Sequence, residues 1–172
     1  FAEFERETVK LDIARIRVLS IRGTRSRTKL EYVEGRRRVA GDIVFPFYVK
    51  GLGQWIKHAL GLVTSVQQGT TAAYEHVFIT DDSLPVGLTI EIQKGDTQFH
   101  KYTGCRVAQL AFEAEVNQIL RMTATVVGQD ETIAATGATA TYPTATNNEV
   151  MVFHQGSFKI EGVTRNIRRF RV

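Results

Sequence analysis

Residues Val107–Val127 read VAQLAFEAEVNQILRMTATVV, and the period of this stretch decides the fold class. Ala108, Leu110, Phe112, Ala114 and Val116 alternate with Gln109, Ala111, Glu113 and Glu115. After a polar turn at Asn117–Gln118, Leu120, Met122, Ala124 and Val126 alternate with Arg121, Thr123 and Thr125. Successive side chains of a strand point to opposite faces, so each run is a half-buried strand. Two such runs across a short turn make one long hairpin over 107–127, with an apolar and a polar face.

The same period recurs on both sides. In Val39–Val49 the odd positions Val39, Gly41, Ile43, Phe45, Phe47 and Val49 are apolar or small, while Arg38, Asp42 and Tyr48 fall between them. Pro46 cannot donate to a ladder, which predicts an edge strand or a bulge there. Leu88, Ile90 and Ile92 alternate with Thr89, Glu91 and Gln93. Further strands are expected near 13–22, 74–80, 97–103, 133–142, 150–153, 157–161 and 166–172. Lys50–Val63 breaks the pattern: Leu52, Trp55, Ile56, Ala59, Leu60 and Val63 follow a helical stripe. A helix over about 51–62 is marginal alone in water, so Leu52, Trp55, Ile56 and Leu60 must pack it on a sheet. Gly61 is its expected stop. Residues 64–73 read as a loop, the Thr- and Ala-rich 132–146 as an exposed strand or arm, and Pro143 with Asn147–Asn148 as a loop. The polar, basic stretch 22–42 reads as an extended loop or long hairpin arm. The expected fold is mainly β, a sandwich or barrel with one short flanking helix.

The chain has 172 residues, 43% of them hydrophobic and 23% charged. That is the composition of one ordinary globular domain spanning 1–172, and it excludes a disordered chain. No run approaches the roughly 18 apolar residues of a membrane span, and no signal peptide is visible. Both ends read as cut or arm-like. The single cysteine, Cys105, cannot form an internal disulfide and reads as a half-buried hydrophobe, which fits a reducing cytoplasm. The net charge of +4 divides unevenly: +5 over 22–38, +4 over 165–171 and −5 over the remainder. Such basic segments bind either nucleic acid or the acidic faces of further copies, where charge sets register.

No catalytic or metal-binding pattern emerges. His58, His76, His100 and His154 are scattered singly, without the short spacings of a metal site. Gly51-Leu52-Gly53 precedes a helix but lacks the rest of a phosphate cradle. GxSxG is missing. Asp81-Asp82-Ser83 before Leu84-Pro85 has a turn composition, and Asp130-Glu131 reads as surface charge. The reading is a protein that is not an enzyme and carries no cofactor.

A longer pattern is more specific. Leu88–Glu131 contains TIEI at Thr89–Ile92, a turn at Gly95, YTGC at Tyr102–Cys105, the Val107–Val127 hairpin and a Gly128–Glu131 exit. Upstream stand Gly41–Gly61 (GDIVFPFYVKGLGQWIKHALG) and Ile21–Arg25, and the chain ends in Phe158–Val172 (FKIEGVTRNIRRFRV). In this order the segments resemble the tail tube proteins of long-tailed bacteriophages. The Arg36–Arg38 run and the 132–146 stretch have no counterpart in the resemblance.

The resemblance implies a β-sandwich with a flanking helix, six copies closing a ring, and rings stacking into a hollow tube. The tube houses a tape-measure protein and conducts double-stranded DNA during ejection. Further partners would be a tail terminator and baseplate or tip proteins. The protein would be assembled in the host cytoplasm and reside in the virion tail. Arms crossing between copies would carry Arg22, Arg25, Arg27, Arg36, Arg37, Arg38, Arg168 and Arg169. The polar face with Gln109, Glu113, Glu115, Thr123 and Thr125 would line the lumen, since a wall that does not bind phosphates lets DNA slide. The same resemblance leaves open a contractile-tail, secretion-system or gene-transfer-agent tube. A DNA-binding module using the arginines is the rival outside assembly.

Overall fold

A computed structural model describes residues 1–17, 32–142 and 149–172. Among the described residues, twelve strands and one α-helix form in this order: β1 (Arg6–Glu7), β2 (Lys10–Arg17), β3 (Tyr32–Pro46), α1 (Gly53–Leu60), β4 (Gly61–Gln67), β5 (Tyr74–Thr80), β6 (Leu88–Gln93), β7 (Phe99–Glu115), β8 (Arg121–Gly128), β9 (Asp130–Ala134), β10 (Phe158–Ile160), β11 (Val163–Arg165) and β12 (Arg169–Arg171), with a single 3-10 turn at Phe153–Gln155 before β10. The fold is mainly β, as the alternation requires. The main sheet runs β1-β3-β8-β7-β12, with β2 beside β3 and with β6 and β9 beside the start of β7. The sheet curls until β9 returns to β3, where Arg37 meets Asp130 at 3.2 Å. Two hairpins, β4–β5 and β10–β11, stand apart from it.

The core lies on the apolar face of the 107–127 hairpin. Met122, Ala124 and Val126 are 0% exposed and meet Val39, Ile43, Phe45, Tyr102 and Cys105. Burial pushes the Cys105 thiol pKa up, as suits a core hydrophobe. The turn falls where the sequence placed it, with Asn117 at φ 62. The hairpin is longer than its sequence pattern, because β7 absorbs the separate 97–103 strand and pairs with β8 and then β9. A bulge between Val107 and Gln109 shifts the register, which leaves Ala108 exposed rather than on the apolar face.

The other boundaries differ for identifiable reasons. Residues 32–42, expected in an arm, form the first part of β3 and pair with β2 from Lys10↔Ala40 to Arg17↔Tyr32. A two-stranded ribbon with water on both faces accepts the charges of Arg36–Arg38 without burying them. The reading as a long hairpin arm holds for this part; residues 18–31, including Arg22, Arg25 and Arg27, lie outside the described residues. Pro46 sits on no edge strand. It is the last residue of β3, opposite Arg121, beyond the reach of β1 at Ile43 and Val44. Helix α1 is shorter than 51–62 because Gly51 and Gly61 adopt φ 94 and 110 on either side of it. Residues 64–67, expected in a loop, continue β4, paired from Gly61↔Thr80 to Gln67↔Tyr74. β9 ends at Ala134, so 135–142 holds no strand. Around 150–153 only single bridges form, at Val150 and Val152. The 143–148 loop lies outside the described residues.

The helix seats on the sheet through its preceding turn. Leu52 is buried in the core, and the Trp55 ring lies 4.9 Å from that of Phe45. Ile56 and Leu60 are half-buried. The chain start straps the sheet down. Glu3 accepts from the Tyr48 hydroxyl at 2.6 Å, Glu5 pairs with Arg121 at 2.9 Å and Glu7 with Lys94 at 3.0 Å. The carbonyl of Val9 accepts from Lys94 Nζ at 2.9 Å and from the Tyr102 hydroxyl at 3.0 Å. The strap crosses so closely that a Cβ on Gly41 would lie 2.5 Å from Val9 Cα. Backbone cannot rotate away as a side chain does. Gly41→Ala is therefore expected to destabilise the fold by about 1–3 kcal/mol, the usual cost of overpacking. A denaturant midpoint equal to wild type would show that the strap does not press on β3.

Candidate assembly surfaces

Beyond the core the β2–β3 hairpin continues outward as a ribbon. Its distal pairs are Arg15↔Glu34, Ile16↔Val33 and Arg17↔Tyr32. Ile16, Tyr32 and Val33 are more than half exposed there. Arg36, Arg37 and Arg38 are exposed on β3 of the same ribbon, Arg37 spending its charge on Asp130. Among the described residues, no ion pair engages Arg36 or Arg38. The ribbon thus offers apolar side chains flanked by free guanidinium groups.

The second surface is the outward face of the main sheet. Cross-strand rows set its chemistry: Asp42–Thr125–Gln109, Val44–Thr123–Ala111 and Pro46–Arg121–Glu113–Arg171. Gln109, Glu113, Glu115, Thr123 and Thr125 therefore share one face, opposite the core. Thr125 donates its hydroxyl to Asp42 at 2.6 Å. The sequence pattern had not shown that β12 extends this face. Arg169, expected on a neighbour's acidic surface, hydrogen-bonds Glu113 and pairs with Glu115 at 3.0 Å in its own chain. Arg168 is exposed, and its carbonyl accepts the Val116 amide at 3.1 Å. The face is a mosaic of both signs, with Arg121 neutralised by Glu5, Arg169 by two carboxylates, and Arg171 exposed without an ion pair among the described residues.

A family model for the phage tail tube protein matches residues 6–172. The chain belongs to the phage tail tube protein family. No curated protein matches the chain. Membership makes it a structural tail tube subunit, a component of the virion tail that associates with further copies of itself. No helix among the described residues is long and apolar enough to cross a membrane. The scattered histidines take structural places: His100 pairs with Glu131 at 2.6 Å, and His76 meets the Ser65 hydroxyl at 2.8 Å. Among the described residues no group of His, Cys, Asp and Glu converges as a metal site.

Docking of β12 has a pH signature. The Arg169 hydrogen bond holds the Glu113 carboxyl below its ordinary pKa. A depressed native pKa stabilises docking above the ordinary carboxylate range and is lost as pH falls through the native value. The Glu113 carboxyl of dilute monomer should titrate below an ordinary glutamate by NMR and return to the ordinary range in Arg169→Gln. An unchanged midpoint in that variant would mean that the pair does not form in solution.

Proposed function

We propose that copies of this chain, six to a ring, stack into a hollow tube that houses a tape-measure protein and conducts double-stranded DNA during ejection. The observation that carries this reading is the β2–β3 ribbon. A subunit complete in itself has no use for a charged ribbon exposing Ile16, Tyr32 and Val33. A subunit that must cross from one ring to the next does. Heterologous contacts of this kind close into rings or propagate as filaments. The free guanidinium groups of Arg36 and Arg38 set orientation at the neighbour's acidic surface more than affinity.

The outward sheet face, with Gln109, Glu113, Glu115, Thr123 and Thr125, lines the lumen in this reading. Each cation that binds phosphate releases condensed counterions and so retains DNA. Arg121 and Arg169 on this face are already paired to carboxylates, and the unpaired Arg171 stands at its margin on β12. Paired cations bind a passing phosphate weakly, which supports a wall along which DNA slides. The tail terminator and the baseplate or tip proteins would meet the open ends of the tube.

The test is negative-stain microscopy of the purified chain, wild type beside Arg36→Glu/Arg38→Glu. Wild type should form hollow rings or tubes of uniform width. The variant should stay folded and form no tubes, because among the described residues neither side chain has an ion pair for the fold to lose. Full-length tubes from the variant would remove the ribbon arginines from assembly. A wild type that stays monomeric at high concentration would overturn the tube reading itself.

A further inference from the structure

Two further surface features are complementary to each other. The first is a knob. Leu84 and Val86, in the loop between β5 and β6, are each 79% exposed. The loop is anchored at both ends. The Asp81 amide donates to the Leu60 carbonyl at 3.1 Å, and His58 Nδ1 meets the Val86 carbonyl at 3.1 Å. The Ser83 hydroxyl donates to the Asp81 carboxylate at 2.7 Å, closing a turn, and Pro85 stiffens what lies between the aliphatic side chains. Leu62 and Ile79, paired across β4 and β5 where that hairpin meets the loop, are also nearly half exposed. The knob is therefore held in place before anything binds it, which lowers the entropic cost of docking. Asp81 and Asp82 make its flank acidic.

The second feature is a groove of about 600 Å³ between the 151–158 segment, the 164–170 segment and Leu120. Leu120, Phe153, Phe158, Ile167 and Phe170 supply apolar walls, and Arg165 stands among the lining residues. Arg168, exposed three residues on, adds to the positive charge of this segment. Apolar knob with acidic flank and apolar groove with basic rim match in polarity and in sign of charge. A knob and a groove on one molecule make a head-to-tail contact between copies, which repeats without limit unless it closes.

We infer that the Leu84–Val86 loop of one copy seats in the groove of a second copy, Asp82 facing Arg165, as a contact separate from the β2–β3 ribbon. The inference rests on the tube reading and names one of its interfaces. Burying two aliphatic side chains corresponds to about a hundredfold in association.

The experiment is sedimentation velocity of the full chain across a concentration series. It compares wild type, Leu84→Asp/Val86→Asp (knob lost) and Thr164→Trp (groove filled from β11). Thr164 is an exposed lining residue, so both variants should keep the wild-type circular dichroism spectrum. Each variant alone should associate about a hundredfold more weakly. Mixed in the Arg36→Glu/Arg38→Glu background, which removes the ribbon contact, they should form a one-to-one dimer that grows no further, because one intact knob meets one intact groove and the remaining pair is blocked. A charge swap gives a second reading. Asp82→Arg and Arg165→Asp should each weaken association, and their mixture should recover it. Wild type that assembles while the knob variant assembles equally well overturns this interface and leaves the tube reading standing. So does loss of assembly in Thr164→Trp alone, which would give the groove to another segment of the neighbour. Wild type that never associates removes the tube reading, and this inference with it.

Discussion

Pairing along both edges of β8 is the constraint on which the rest of the molecule depends. Pro46 to Val39 of β3 flank it on one side and Arg106 to Glu113 of β7 on the other. Its inward residues Met122, Ala124 and Val126 have no exposure. A slip of one residue would turn Arg121, Thr123 and Thr125 into the core. A buried guanidinium without a partner costs far more than the hydrogen bonds of a slipped ladder could return. Register is thus fixed for three strands at once. With it come the positions of Phe45 and Phe112 inside and of Asp42, Thr125, Gln109 and Glu113 outside.

This part of the fold was legible in the sequence because it rests on a local period. The 107–127 hairpin, its turn at Asn117, β5 at Tyr74–Thr80, and the helix with its stop at Gly61 all follow from residues close in the chain. What was not legible depends on partners far away. The bulge that turns Ala108 outward answers to β8, not to its own neighbours. Which of the two readings of 32–42, loop or hairpin arm, holds was obscured by Arg36–Arg38, whose charge suits either until β2 lies alongside. The strap over Gly41 was missed, although the alternation of Glu3, Glu5 and Glu7 was visible. Nothing local says that these carboxylates meet Tyr48, Arg121 and Lys94.

The candidate surfaces divide in the same way. Polar residues of β7 and β8 could be assigned to one face from periodicity alone. That β12 would bring Arg169 onto this face could not, since Arg169 and Glu113 stand 56 residues apart. The consequence is electrostatic. Reading the arginines as a group gives a chain with two basic arms. Reading them with their partners separates the neutralised ones, Arg37, Arg121 and Arg169, from the other described arginines, which no ion pair engages, among them Arg36, Arg38, Arg165, Arg168 and Arg171.

That separation bears on how a tube subunit can use charge. A paired cation has already recovered part of its desolvation and gains little by meeting another carboxylate, whereas an unpaired one gains a full contact. In the proposed assembly the unpaired arginines of the β2–β3 ribbon and of the segment bordering the C-terminal groove would discriminate between neighbours. The middle of the sheet face between them, where Arg121 and Arg169 are paired, is nearly self-satisfied, and its unpaired charge stands at its margin on Arg171. On the proposed reading, such a subunit would hold its copies together at its margins and leave the middle of its main sheet indifferent to what moves past it.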